Sequence, residues 1–425
     1  MDRKWVTLWV ASIFLACVTF LLSEDVKRGI FLLPFAAGLV FFITNTSGFK
    51  SYISGAIKIY FIVAIIISII GVHQRVVIIP PDAVGYADDG VEILEAIAGG
   101  NIDAIKNSIN RYTFSISLYN IFNGIVFSVL GRSIYSMSVI NSCFTSIGIV
   151  YFFRTYRIWW GKDAGYIVTL LVFVYPSLYW VGPANLREPG SFMLISIFFY
   201  ILSHWLENGN LNVLHALLVV LLASLFRYYN LPLLLMVSFL CLLLVLVMSN
   251  AKAYRYKYKL PAFLVLIFIG YTFYAFNFID VFRIRRIATS SQRAAVGGET
   301  FTNPLTQDAL SNWFILLEYL LSTIRYYLTP LIWNVSSGGF VFSLYHYASS
   351  IYYVTSLVLT TICVPYSFNQ KKYLSLMLIF FAILFFGSYG VADVRIGSAV
   401  RHKFQFFIFT HLLICKPRNV KFELR

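Results

Sequence analysis

The chain has 425 residues, 59% of them hydrophobic and only 12% charged, with a net charge of +15. Ordinary soluble domains carry about 25% charged residues, so the composition excludes a soluble enzyme, and apolar runs recur along the whole chain without room for a separate soluble domain. The positive charge falls mostly in short loops between those runs, where it reports membrane orientation rather than nucleic-acid binding.

Apolar segments of roughly spanning length, about 17 to 25 residues, cover residues 5–22, 30–43, 53–72, 134–153, 164–181 and 192–206. They continue at 213–226, 231–248, 260–279, 349–366, 373–391 and 404–415. Met1-Asp-Arg-Lys before the first run resembles the start of a signal peptide, but no small-residue cleavage site follows, so a retained first helix is expected. Two further segments are ambiguous. Residues 112–130 are interrupted by Asn120, Asn123 and several serines, and residues 313–333 carry Glu318, Arg325 and Pro330.

Charge arbitrates the topology. Between residues 134 and 279, one set of loops carries Arg154, Arg157, Lys162, Lys252, Arg255, Lys257 and Lys259. The opposite set carries only Arg187 and Arg227, so the first set is cytoplasmic. With the basic ends Met1-Asp-Arg-Lys and Lys416-Pro-Arg-Asn-Val-Lys also inside, the number of spans is even and neither ambiguous segment crosses fully. The expected architecture is an all-α polytopic integral membrane protein, a single transmembrane domain over residues 1–425 with about 12 transmembrane helices. Two in-plane or re-entrant helices lie on its outer side. A first large outer loop covers residues 73–111 and a second, with its in-plane helix, residues 280–348.

In that arrangement Arg187, Arg227, Arg395 and Arg401 all lie at the outer edge, with Arg325 on an outer in-plane helix. Arginine at hydrocarbon depth is expensive and cannot be neutralised, so it persists where a partner, water or an anionic ligand satisfies it. The first outer loop brings Pro80-Pro81 and then Asp82, placed to cap a helix running from Ala83 to Ile97 along the membrane surface. Asp88, Asp89 and Glu92 form the wet side of that helix. Asp82, four residues before Tyr86, is placed to act as a base toward a sugar hydroxyl.

The outer turn beginning Tyr175-Pro-Ser-Leu-Tyr-Trp is broken by its prolines. Its aromatics Tyr175, Tyr179 and Trp180 suit an interface or a sugar-stacking wall, and Arg187 beside Glu188 can form an ion pair at a helix start. Arg227-Tyr228-Tyr229-Asn230 forms a tight hairpin with no carboxylate adjacent in sequence. Arg293 lies in the basic second loop, before Gly297-Gly298, a turn or a place of close backbone approach. Arg401-His402-Lys403 gathers three donors at the start of the last run, with snorkelling as the simple account of Lys403.

Cys17, Cys143, Cys241, Cys363 and Cys415 lie in or at the end of apolar runs and read as small hydrophobes rather than a disulfide framework or a zinc site. His204, His215 and His411 read as structural, and Asn334-Val-Ser matches a glycosylation sequon without secretory context. No P-loop, Ser-His-Asp order or metal-ligand spacing is present in the sequence. An outward cavity lined by arginines, aromatics and a few carboxylates suits a lipid-linked pyrophosphate sugar. Guanidinium forks bind phosphate oxygens and stabilise the leaving diphosphate, without nucleotide or redox cofactor.

This layout resembles the bacterial polysaccharide polymerases of the Wzy and EpsG type. The Asp-x-x-x-Tyr element of EpsG-like chains is matched by Asp82 to Tyr86, their Arg-containing turn by Leu186-Arg187-Glu188, and their C-terminal Arg cluster by Arg395 to Arg401. The chain departs from the pattern with Glu188 where an amide is frequent and Arg227 where histidine is frequent. It also resembles the GT-C glycosyltransferases, which place a catalytic Asp in the first outer loop, but without their frequent soluble C-terminal domain. The resemblance implies a GT-C-like fold in the bacterial inner membrane, with an active site facing the periplasm. There undecaprenyl-diphosphate-linked oligosaccharide repeat units would be joined into an O-antigen or exopolysaccharide, with a chain-length regulator protein as partner. Asp82, Arg187, Arg227, Arg395 and Arg401 are the implied catalytic set, and Tyr86, Asp88, Glu188, Tyr228, Arg293 and His402 the implied substrate contacts. A lipid-linked oligosaccharide flippase is the competing class, which internal repeats and mid-span charges would favour.

Overall fold

The computed structural model describes residues 24–74, 81–101, 103, 114–208, 212–227, 230–231, 233–238, 323–324, 326–328, 340–392 and 401–414. Among these residues every regular element is helical and there are no strands. Its helices are α1 (Glu24–Thr46), α2 (Ser51–Gln74), α3 (Pro81–Ala98), α4 (Phe114–Leu130), α5 (Ile134–Trp160), α6 (Tyr166–Val174) and α7 (Pro176–Trp180). They continue as α8 (Glu188–Asn208), α9 (Val213–Phe226), α10 (Phe340–Gln370) and α11 (Lys372–Ala392), followed by a 3-10 helix at Phe407–Leu413.

Among the described residues, four helical stretches are long and apolar enough to cross a membrane: Ser51–Ile70, Ile134–Trp160, Glu188–Glu207 and Ser343–Gln370. Large apolar side chains recur at helical spacing on exposed faces. Ile59, Ile62, Ile66 and Ile70 do so on α2, and Ile351, Val354, Val358 and Ile362 on α10. Such stripes are unfavourable in water and suit a hydrocarbon surround. The chain is a helical protein with the character of a membrane-embedded one.

Two expected spans take a different form. Residues 164–181 divide at Tyr175, whose backbone is extended between α6 and α7. Pro176 opens α7, and a residue preceding proline is driven out of the helical region. The described residues 404–414 contain no α-helix: a turn at 404–406 leads into the 3-10 helix. Seven residues of 3-10 helix rise about 14 Å, half of the roughly 30 Å hydrocarbon core, and all seven are buried. The described part of this segment is thus a buried 3-10 helix where an α-helix was expected. The span expected at 349–366 belongs to a longer helix that begins at Phe340, so the end of the second loop is helical.

The chain forms two compact units. The first comprises Met1–Tyr151, Leu178–Leu194 and Leu222–Tyr228; the second comprises Phe152–Ser177, Ile195–Leu221 and Tyr229–Arg425. In the first, α3 lies against α4 at a crossing of two glycines. A Cβ on Gly90 would sit 2.8 Å from Asn123 Cβ, and one on Gly124 would sit 2.7 Å from the Gly90 carbonyl oxygen. No side chain fits there, so the two backbones approach closely. The inner face of α3 is Ala83, Tyr86, Ala87, Gly90 and Ile93, while Asp88 and Glu92 are exposed, as amphipathic spacing requires.

The second unit is built on rings. Tyr175 is fully buried and stacks on Tyr352 at 5.0 Å and on Phe407 at 5.6 Å. It is therefore core rather than part of a sugar-stacking wall. His411, buried, lies 3.3 Å from the Tyr352 hydroxyl and 3.2 Å from Ser356 Oγ, the structural role expected of it.

Candidate functional site

Gly182 and Pro183 end the helical path after α7, and the chain turns through residues 181–187 before α8. An irregular turn leaves backbone carbonyls without helical partners, and burial makes each orphan expensive. Side chains from other helices supply the donors. Tyr60 of α2 donates to the Leu178 carbonyl at 3.1 Å, and Thr145 of α5 to the Gly182 carbonyl at 3.1 Å. The Asn141 amide nitrogen, also on α5, reaches the Ala184 and Leu186 carbonyls at 2.5 and 3.2 Å. Gly182 has no alternative, because a Cβ there would lie 2.3 Å from the Leu178 oxygen and 2.5 Å from the Tyr60 hydroxyl.

Asn185 at the centre of this turn is fully buried and bonds in two directions. Its Nδ2 donates to the Ala83 carbonyl in the first turn of α3 at 3.0 Å, and its Oδ1 accepts from the Tyr119 hydroxyl of α4 at 2.9 Å. The turn is thereby tied to the helix that starts Pro81-Asp82. Immediately beyond, the Arg187 guanidinium stands over the Tyr86 ring, 5.5 Å from its centre. Tyr86 in turn meets Tyr119 edge to face at 5.3 Å. Two segments about a hundred residues apart, each singled out by its own residues, thus come together.

Glu188 opens α8, where a carboxylate is favoured by the helix dipole and Pro189 is tolerated in the first turn. Its Oε1 accepts from Arg227 Nη2 at 2.5 Å, with the two side chains only 1% and 4% exposed. Arg227 follows the last residue of α9, where a cation is favourable. The neighbouring residues explain how α8 and α9 come close enough. Gly190 leaves room for the Phe226 ring, which a Cβ would meet at 2.2 Å, and Phe226 continues into Tyr119, Phe122 and Phe144. A buried arginine cannot shed its proton, so Glu188 offsets its charge. Arg227 is therefore not without a carboxylate neighbour: the partner lies 39 residues away in sequence.

The remaining expected site residues fall out as follows. Asp82 lies in the first turn of α3, its backbone beside the Ala83 carbonyl that Asn185 holds. Asp88 is exposed and paired with Arg132, while Asp89 accepts from Asn120 at 3.1 Å. Arg401 and His402 belong to the second unit, half-buried, with His402 against the Tyr389 ring at 5.3 Å. Lys403 does not snorkel. It is fully buried, donates to the Tyr327 carbonyl at 3.1 Å and stands 4.0 Å from the centre of the Tyr353 ring. Tyr228, Arg293, Arg325, Arg395 and the Gly297-Gly298 turn lie outside the described residues. Among the described residues no three His, Cys, Asp or Glu side chains form a metal-ligand group.

Sequence reasoning missed Asn141, Asn185 and Tyr119 as the residues that hold the turn. The signal was available at Asn141, an amide in the middle of an apolar run, where polar groups are rare and usually have a task. Chemically, the first-unit cluster offers guanidinium donors beside an aromatic face and a carboxylate-bearing helix start, a set suited to an anionic group attached to a ring or chain. No protein-family model, curated protein or solved structure matches the chain.

Proposed function

We propose that the chain is a membrane glycosyltransferase that polymerises undecaprenyl-diphosphate-linked oligosaccharide repeat units into a surface polysaccharide. The reaction takes place at the periplasmic face of the bacterial inner membrane. The reading is carried by one observation: Arg187 stands over Tyr86 beside the buried Glu188–Arg227 pair, on the turn tied to the helix start that carries Asp82. Buried guanidinium groups are costly and are retained where they hold an anion or a fixed partner. Arg187 contacts the diphosphate of the donor, and the Glu188–Arg227 pair, its charges offset, holds the helix start that follows Arg187 in place. As the glycosidic bond to the diphosphate breaks, the Arg187 guanidinium stabilises the charge that develops on the leaving group. Asp82 takes the proton of the acceptor hydroxyl, which attacks the anomeric carbon.

The test is deletion of the gene followed by gel analysis of surface polysaccharide. Single repeat units on the lipid anchor, with loss of the long-chain ladder, are the expected result. Full-length chains of altered sugar composition would point instead to a GT-C-type transferase using a polyprenyl-phosphate sugar donor. Repeat units trapped on the cytoplasmic leaflet would point to a flippase. An unchanged ladder overturns all three.

A further inference from the structure

Resting on that reading, we propose that Tyr119 and Asn185 form a positioning clamp that sets Arg187 in register with the Asp82–Tyr86 helix start. The geometry fixes the direction of every bond in it. The Asn185 Nδ2 faces a carbonyl, that of Ala83, at 3.0 Å, so the amide cannot be turned round without placing oxygen against oxygen. Its Oδ1 must then accept, and the Tyr119 hydroxyl donates to it at 2.9 Å. The same hydroxyl accepts from Asn141 Nδ2 at 3.3 Å, and Asn141 grips the carbonyls on either side of Asn185, those of Ala184 and Leu186. Asn123, one turn on in the same helix, donates back to the Tyr119 carbonyl at 2.9 Å. Tyr119, Asn123, Asn141 and Asn185 are all at most 2% exposed. In so dry a place hydrogen bonds are strong and their loss is felt directly.

The clamp spans three helices and the turn. Helix α4 supplies Tyr119, α5 supplies Asn141, and Asn185 on the turn reaches α3. It does this at the two positions adjoining the proposed chemistry: Ala83 follows Asp82, and Asn185 precedes Arg187 by two residues. A small displacement of either segment would shift the base relative to the phosphate site. Neither clamp residue needs to touch substrate, so both act through the groups they hold.

Tyr119→Phe isolates the effect. It removes one hydroxyl and keeps the ring against Tyr86, Phe122 and Phe226, so the helices stay packed. The first measurement is hydrogen exchange on the purified full chain in lipid nanodiscs, which does not depend on what the protein catalyses. Residues 83–87 and 182–187 should both exchange faster in Tyr119→Phe, with α10 and α11 unchanged. Unchanged exchange in either segment overturns the clamp.

The second measurement is steady-state polymerisation of the lipid-linked repeat units that a gene-deletion strain accumulates. Misplacement of a reacting group by about 1 Å can cost up to about a hundredfold in rate. The loosened clamp should lower kcat on the order of tenfold, with KM within about twofold. In an Arg187→Lys background, Tyr119→Phe should lower kcat no further, because coupled residues are not additive. Full additivity, or a wild-type kcat despite faster exchange, assigns Tyr119 to scaffold and overturns the positioning role. A deletion strain that accumulates no lipid-linked repeat units overturns the functional reading and this role with it, while the exchange result separately decides whether the clamp exists.

Discussion

The two units bury a cation by opposite means. In the first, Arg227 meets the Glu188 carboxylate at 2.5 Å at the facing ends of two helices. In the second, Lys403 is enclosed by the rings of Tyr353 and Tyr326, at 4.0 and 5.3 Å from their centres, and donates to a backbone carbonyl. A carboxylate cancels charge and fixes direction, since the guanidinium fork has a set geometry. Aromatic faces attract an ammonium without cancelling its charge and tolerate its rotation. The first arrangement suits a place where orientation matters, and the second a place where a positive group has to fit inside a core.

Breaking the carboxylate arrangement should have the largest effect. Glu188→Gln leaves a buried guanidinium that cannot be deprotonated, and removing one partner of a buried pair typically costs about 3–5 kcal/mol. Thermal unfolding in detergent should show a strongly lowered midpoint, or little folded protein should reach the membrane. Arg227→Met should be milder, because the stranded Glu188 can take up a proton. Replacing both by Leu and Met should recover most of the stability. Equal loss from the two single variants would mean that charge cancellation is not what the pair contributes.

Next in size is Gly190→Ala, which tests how α8 and α9 come close enough for the pair to form. The new methyl would lie 2.2 Å from the Phe226 ring, itself packed against Tyr119, Phe122 and Phe144. Overpacking of this kind costs about 1–3 kcal/mol. A wild-type unfolding midpoint in this variant would show that Phe226 moves aside freely.

The aromatic arrangement should be more forgiving. Lys403→Met keeps the stem length, loses the attraction between ammonium and rings and the bond to the Tyr327 carbonyl, and at the same time removes the penalty of burying a charge. The two nearly cancel, so the midpoint should correspond to a change of about 1 kcal/mol or less. A loss as large as that of Glu188→Gln would erase the contrast between the units.

How far the sequence carried these conclusions depends on the range of the interaction. The start of α3 was legible from Pro80-Pro81-Asp82 and the apolar spacing of Ile93, Leu94 and Ile97, all local signals. Helix α9 falls on the predicted 213–226, and the break at Tyr175 follows from the proline after it. Residues 404–414 take a buried 3-10 form in place of the expected α-helix, because a short apolar run does not announce which helix it forms. Only the packing of Phe404, Phe406, Phe407 and Phe409 among other rings decides for core. The Arg187–Tyr86 contact brings together two motifs that were separately visible, but their meeting was not. Glu188 offered itself to its neighbour Arg187 in the sequence, whereas the fold delivers Arg227 to it from 39 residues away. Asn141 stands out as an amide in an apolar run, but Tyr119 looks like an ordinary residue of such a run until the partners of its hydroxyl are counted.

The smallest expected effect lies on the outer face of α3, where Asp88 pairs with Arg132 and both side chains are more than half exposed. Exposed pairs contribute little, because water screens the attraction and the side chains lose freedom in holding one geometry. Asp88→Asn should therefore change stability by about 0.5 kcal/mol or less. The same variant separates the two sides of the helix. Asp88 was expected to contact substrate, yet the residues that meet the Arg187 turn, Ala83 and Tyr86, occupy the opposite, buried face. If the chemistry follows the buried face, Asp88→Asn keeps the wild-type polysaccharide ladder while Tyr86→Leu shortens it. A shortened ladder in Asp88→Asn, with the protein equally abundant and equally stable, would return the exposed face of α3 to the substrate path and weaken the case for the turn as its centre.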